Sequence, residues 1–195
     1  MNDSLLEPDD AATPLSMDER AELIPSYVTL RHELNDVEQA NILKAENWAF
    51  TRKRNVLDEP FLLNLHKRMF GEVWGWAGQY RRTERNIGIE PWQIGIALNL
   101  LIDDTRYWVE NRTFGFDEIA ARFHHKLVWI HPFPNGNGRH ARLATDLLLL
   151  ANGLPRFTWG RVNLVDAGET RKSYVTALRA ADRHDIDLLL KFVRS

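Results

Sequence analysis

Between His131 and His140 the chain reads HPFPNGNGRH and then enters a strongly apolar segment that stops at Asn152-Gly153. Gly136 and Gly138 lack a Cβ, so backbone N–H groups there can turn toward a ligand at little steric cost. The helix expected to follow, over roughly 137–152, leaves its first N–H groups unpaired and carries partial positive charge at that end. Together they form a concavity suited to anions, phosphates above all. Arg139 and Arg142 are three residues apart, so one face of the first turn presents both guanidinium groups. His131 stands just outside the turn, with an ordinary imidazole pKa of about 6.5, as a candidate base. The bland alternative is a glycine-rich turn between two core helices, with His131 merely ending the first.

The flanking pattern is helical. Phe116, Ile119, Ala120, Phe123, Leu127 and Ile130 recur at helical spacing, and Pro132 ends that run, putting His131 at a helix-to-loop junction. Leu147 to Leu150 are apolar all round, as a buried central helix requires. Upstream, the sequence predicts a helix from Asn35 to about Arg54, with Asn35 and Glu38 spaced as a capping box. A second begins at Asp58-Glu59-Pro60 with Leu62, Leu65 and Met69 on one side, and a third runs from Pro91 to about Asn111. A further capping pair, Asp166 and Glu169, opens a helix to about Ala181, and a last one turns Ile186, Leu189, Leu190 and Val193 inward. Between them, VWGWAGQYRRTERNIGIEPW has too many glycines for a helix and reads as a loop leading into a small β-hairpin over about 80–90. Trp74 and Trp76 read as apolar anchors for it. The expected fold is all-α: a helical bundle around a central buried helix, with one small β-hairpin.

Composition closes several routes. There is no cysteine, which removes thiolate nucleophiles, disulfides and cysteine-ligated zinc. His124 and His125 are adjacent and point about 100° apart on a helix, and no H-E-x-x-H pattern accompanies them, so zinc is not expected. The 25 basic and 27 acidic residues leave a net charge of −2, which argues against coating nucleic acid. The N-terminus is acidic and unlike a signal peptide, and no apolar run approaches the roughly 20 residues of a membrane span, so a cytoplasmic protein is expected.

The central motif resembles that of the Fic/Doc (Fido) family, His-x-Phe-x-(Asp/Glu)-Gly-Asn-Gly-Arg-x-x-Arg, and within it the chain looks closest to the mobile mystery protein B group. His131, Phe133, Gly136, Asn137, Gly138, Arg139 and Arg142 match, whereas Asn135 stands where the family has its acidic residue. The resemblance covers about 34–195 as a Fic domain, preceded by a mobile arm (1–16) and a short helical extension (17–33). It implies transfer of adenosine monophosphate from ATP to a Ser, Thr or Tyr hydroxyl of a target protein. His131 would be the base, backbone N–H groups of Gly136, Asn137 and Gly138 the anion cradle, Arg139 and Arg142 the cations for the leaving phosphates, and Phe133 the loop's buried anchor. The family's acidic residue holds Mg²⁺; Asn135 offers only a neutral oxygen in its place, a weak candidate ligand.

The hairpin falls where the family has a target-docking flap, with Asn86, Ile87, Gly88 and Ile89 as tip and edge, receiving a target strand by backbone hydrogen bonds. Glu38 falls near the position of the family's inhibitory glutamate, although Leu34 and Gln39 depart from that motif; it is either a capping-box partner or the pair of Arg142. Two other functions remain open at this point. One is a catalytically weak Fic-fold regulator or toxin-like binding protein with a regulatory partner. The other is a transferase of the kinase type using the same loop.

Overall fold

The computed structural model describes residues 15–161 and 168–195. The described residues form helices α1 (Met17–Ala21), α2 (Arg31–Phe50), α3 (Glu59–Phe70), α4 (Ile94–Asn111), α5 (Phe116–Ile130), α6 (Asn137–Ala151), α7 (Glu169–Ala181) and α8 (Asp187–Val193). Helices α5 and α6 pack against each other along their length and carry the molecule. Their inner ends, with Phe123, Leu127, Ile130, Ala144 and Leu148, join α2, α3 and α4 in the larger apolar core. Their outer ends contribute Ala120, Ala121 and Leu149 to a smaller core closed by α7 and α8. The expected central helix is therefore observed, with ten of its fifteen residues buried. Its all-round burial is what holds its N-terminus, and the motif there, in one place.

Local chemistry accounts for most boundaries. Asp58 caps α3 by accepting the Phe61 N–H at 3.0 Å, with Pro60 in the first turn, as its sequence predicts. Helix α2 differs. It begins at Arg31, not Asn35, because the Glu33 carboxylate accepts the backbone N–H groups of Thr29 (2.8 Å) and Leu30 (3.0 Å). Asn35 thus lies within the first turns, Glu38 is no capping residue, and a boundary drawn at residue 34 falls inside this helix. At its other end α2 stops at Phe50 rather than near Arg54, because Thr51 Oγ1 and Arg54 Nη2 donate to the Trp48 carbonyl at 2.8 and 2.5 Å. Helix α4 follows a single 3₁₀ turn at Pro91–Gln93 and buries Ile94, Leu98, Leu101, Ile102 and Thr105. Helix α7 starts at Glu169 with Gly168 at its N-cap, while the expected partner Asp166 lies outside the described residues.

The expected β-hairpin is absent among the described residues, where the sole β pairing is an isolated bridge from Leu23 to Trp74. Residues 80–90 are instead an ordered loop. Its carbonyls at Thr83 and Ile89 are taken by the Arg81 guanidinium, so the groups that a second strand would pair with are already satisfied. The loop is also held from outside: Glu19 of α1, itself buried, accepts from Arg85 and from Thr83 Oγ1. Trp76 Nε1 donates to the Glu19 carbonyl at 3.1 Å, and Trp74 and Trp76 stack at 5.1 Å, both buried as anchors.

Candidate active site

His131 ends α5 in the left-handed conformation (φ 54°), its N–H still donating to the Leu127 carbonyl. A non-glycine residue holds that geometry only where its surroundings fix it. Here the fixing group is Arg81, 2% exposed, whose Nε donates to the His131 carbonyl at 2.7 Å while its own N–H donates to the Pro132 carbonyl at 2.9 Å. Gly88 completes the contact: at φ +94° it lies so close that a Cβ on it would stand 2.6 Å from His131 Cβ. The loop tip and the imidazole are thus one packed unit. His131 is 7% exposed. Burial foremost, then the nearby Arg81 charge, pushes its pKa down to about 4, so the ring is neutral at pH 7 and able to accept a proton.

The turn after His131 is pinned from three directions. Phe133, fully buried, stacks on His66 at a ring separation of 3.7 Å. Asn137 closes the turn on itself with its side chain, accepting the Phe133 N–H at 2.9 Å and donating to the Phe133 carbonyl at 2.8 Å. His66 Nδ1 accepts the Gly78 N–H at 3.0 Å, which leaves the proton on Nε2 to donate to the Asn135 carbonyl at 3.0 Å. Burial keeps that imidazole far below its ordinary pKa and hence neutral. Gly136 is required at φ +77°, where a Cβ would collide with the Phe70 ring at 2.5 Å. No side chain caps α6, so the N-terminus with Asn137 and Gly138 opens on a cleft of about 680 Å³.

Into the same cleft face His131 and, from the loop, Asn86, Ile87 and Gly88; Ile89 turns inward against the core instead. Arg139 and Arg142 both line it, but with different partners. Arg139 Nη1 lies 2.6 Å from Glu38 Oε2 and stacks over Phe70, while Trp74 Nε1 donates to the other Glu38 oxygen at 2.7 Å. The alternative reading of Glu38 as the partner of Arg142 gives way to a pair with Arg139, since Glu38 is held in place by Trp74. Arg142 instead lies against Tyr174 of α7, its Cζ 5.7 Å from the ring centroid, and the Tyr174 hydroxyl lies 2.9 Å from His124 Nε2. Burial pushes the His124 pKa down to about 3, so its ring is neutral and can accept the Tyr174 proton. His125 pairs with Asp182 at 2.8 Å, and His140 Nε2 with the Leu62 carbonyl at 3.0 Å. His124, His125 and His140 thus each have a separate partner, and no cluster of metal-ligating side chains occurs among the described residues.

Arg81, His66 and Tyr174 escaped the sequence reading, as did the bond from Trp74, expected only as an apolar anchor, to Glu38. Only His66 left a trace there, since it sits one turn from Leu62 and beside Leu65 on the apolar side of α3. Arg81 has a measurable consequence. Arg81→Ala strips three carbonyls of their donor, and at ~1–3 kcal/mol for each buried group left unsatisfied the loss is expected to exceed about 3 kcal/mol. Urea unfolding of Arg81→Ala and Arg81→Lys tests this: lysine has no planar fork and should recover less than half, whereas near-native stability for alanine would refute the clamp.

The Fic/DOC family profile matches residues 56–149, which contain α3 through most of α6, and the chain belongs to the Fic/DOC family. Among curated proteins it is 32% identical over 136 residues to protein adenylyltransferase fic-1 of Caenorhabditis briggsae, covering 68% of this chain and 25% of that one. Protein adenylyltransferase Fic of Nematostella vectensis is 28% identical over 179 residues, 87% of this chain and 39% of that one. The chain therefore spans between a quarter and two-fifths of these relatives' length. Among solved structures, a Fic-1 fragment from C. elegans superimposes with a TM-score of 0.67 at 26% identity, over 91% of this chain and 52% of that one. Among the described residues no helix is long and apolar enough to cross a membrane.

Proposed function

We propose that this chain is a protein adenylyltransferase, moving AMP from ATP to a hydroxyl side chain of a target protein. The observation that carries the reading is the sharing of one cleft by a neutral imidazole, an uncapped helix N-terminus and two arginines, beside a loop in contact with that imidazole. His131 takes the proton of the target hydroxyl as its oxygen attacks the α-phosphate, since an alcohol is a poor nucleophile until deprotonated. N–H groups of Asn137 and Gly138 receive the phosphate oxygens as charge shifts, and Arg142 faces the departing pyrophosphate. The loop at Asn86–Gly88 presents the target segment to His131. The names of the curated adenylyltransferases of this family support the same chemistry.

Glu38 sets the resting state on this reading. Its carboxylate occupies Arg139, a cation otherwise available to the nucleotide's terminal phosphates, and Trp74 keeps it there. Glu38→Gly frees that guanidinium and is expected to raise labelling by about tenfold, the equivalent of ~1.4 kcal/mol of competing ion pairing.

The test is labelling of a lysate with ATP carrying radiolabel at either the α- or the γ-phosphate, using wild type, Glu38→Gly and His131→Ala. Label from the α-position alone, greatest with Glu38→Gly and lost with His131→Ala, is the expected result. Label from the γ-position alone would make the enzyme a kinase using the same loop. No label dependent on His131 would leave a nucleotide-binding regulator.

A further inference from the structure

We propose that the cleft binds the nucleotide's phosphate chain without any protein ligand to a divalent cation, so that nucleotide affinity is independent of magnesium. The inference rests on the nucleotide reading above and concerns the charges that meet the phosphates. Mg²⁺ binds through carboxylate and phosphate oxygens in a strict octahedron and sheds its waters reluctantly. The residue placed to offer it an oxygen is Asn135, a neutral amide, and each of its oxygens already accepts a hydrogen bond. Oδ1 accepts the Gly136 N–H at 2.5 Å, and the main-chain carbonyl accepts from His66 Nε2 at 3.0 Å. Turning the amide outward to a metal would expose the Gly136 N–H and loosen the turn.

The two carboxylates lining the cleft are committed as well. Glu38 has one oxygen on Trp74 and the other on Arg139, and Asp182 meets His125. Against these two stand five arginines on the cleft wall, namely Arg31, Arg139, Arg142, Arg171 and Arg179. Guanidinium groups bind phosphate oxygens in pairs and keep their charge at any working pH. A carboxylate at position 135 would repel the phosphates unless a cation stood between them. The neutral amide removes that repulsion, and the arginines supply the compensation a metal supplies elsewhere. The family's metal ligand is thus absent in a cleft whose remaining groups do not need it.

Isothermal titration with ATP, in magnesium chloride or in EDTA at matched ionic strength, tests the inference. It is run on wild type, on Glu38→Ala to remove the resident carboxylate, and on Asn135→Asp, each checked for an intact thermal transition. Wild type and Glu38→Ala are expected to bind within about threefold in the two buffers, whereas Asn135→Asp should lose roughly tenfold or more in EDTA and recover with magnesium. A loss of about tenfold in EDTA for wild type and Glu38→Ala overturns the inference and leaves the adenylyltransferase reading standing. Binding in neither buffer, with Glu38→Ala included, overturns both.

Discussion

His131→Ala is expected to lower AMP transfer by ~10²–10⁴-fold, the usual contribution of a placed base, while nucleotide binding by titration stays within a few-fold. That separation follows from the geometry. On the proposed reading the phosphates meet the N-terminus of α6 and the arginines, whereas His131 meets them only through the attacking oxygen. The pH profile sharpens the expectation. A base works deprotonated, and burial with the neighbouring Arg81 charge pushes the His131 pKa down to about 4. Transfer under kcat/KM conditions should therefore hold nearly flat from pH 7.5 to about 5.5, where an imidazole of ordinary pKa near 6.5 would already have lost about tenfold. An acid limb centred near 6.5 would mean that the ring is solvated during turnover, against the packing of Gly88 and Arg81 seen here.

Acid should instead remove activity by unfolding the protein, and steeply. His66, His124, His131 and His140 are all held neutral in the fold, with pKa values pushed well below the ordinary value, in the last three to about 3, 4 and 4. Unfolded, each takes up a proton near pH 6.5, so near pH 5 the unfolded state binds close to four more protons than these sites do when folded. A folded pKa below the unfolded one contributes stability that is present at neutral pH and lost as pH falls. One group opposes this. Asp146, desolvated beneath Trp159 and Phe157, has its pKa raised to about 6, so near pH 5 it holds a proton in the fold that it lacks unfolded. The net difference of about three protons corresponds to ~4 kcal/mol per pH unit, against a typical total stability of ~5–15 kcal/mol. Urea midpoints followed by circular dichroism should drop sharply between pH 6.5 and 5, and the native signal should be lost within two or three units below 6.5. A stability unchanged from pH 7 to 5 would contradict the burial of these four rings. His140 shows why protonation is resisted: among the described residues its Nδ1 is buried with no hydrogen-bond partner, so a second proton has no acceptor.

The same burial explains which parts of the molecule could be read in advance. Helices α3, α5 and α6 and the turn at 131–138 are specified by neighbours within four residues: apolar spacing, Asp58 at a cap, Pro132 as a stop, and Gly136 at a backbone angle that a side chain resists. Those signals are local and lie in the chain itself. Strand propensity at Ile87 and Ile89 points to a hairpin the fold lacks, because it carries no information about Arg81, which looks like any surface arginine. Glu38 was misread because its spacing from Asn35 fits a cap, yet the carboxylate that caps α2 is Glu33.

By itself, then, the sequence determined an all-α bundle around a buried central helix and the seven motif residues at that helix's N-terminus. Only the tertiary structure decided what those residues are held by. It paired Glu38 with Arg139 across 101 positions of chain, turned the Asn135 amide onto Gly136, and buried the His131 ring above a guanidinium, which together keep it neutral. Hydrogen bonds between distant segments and the desolvation of a ring depend on how helices pack, and packing has no signature in the spacing of residues along one helix.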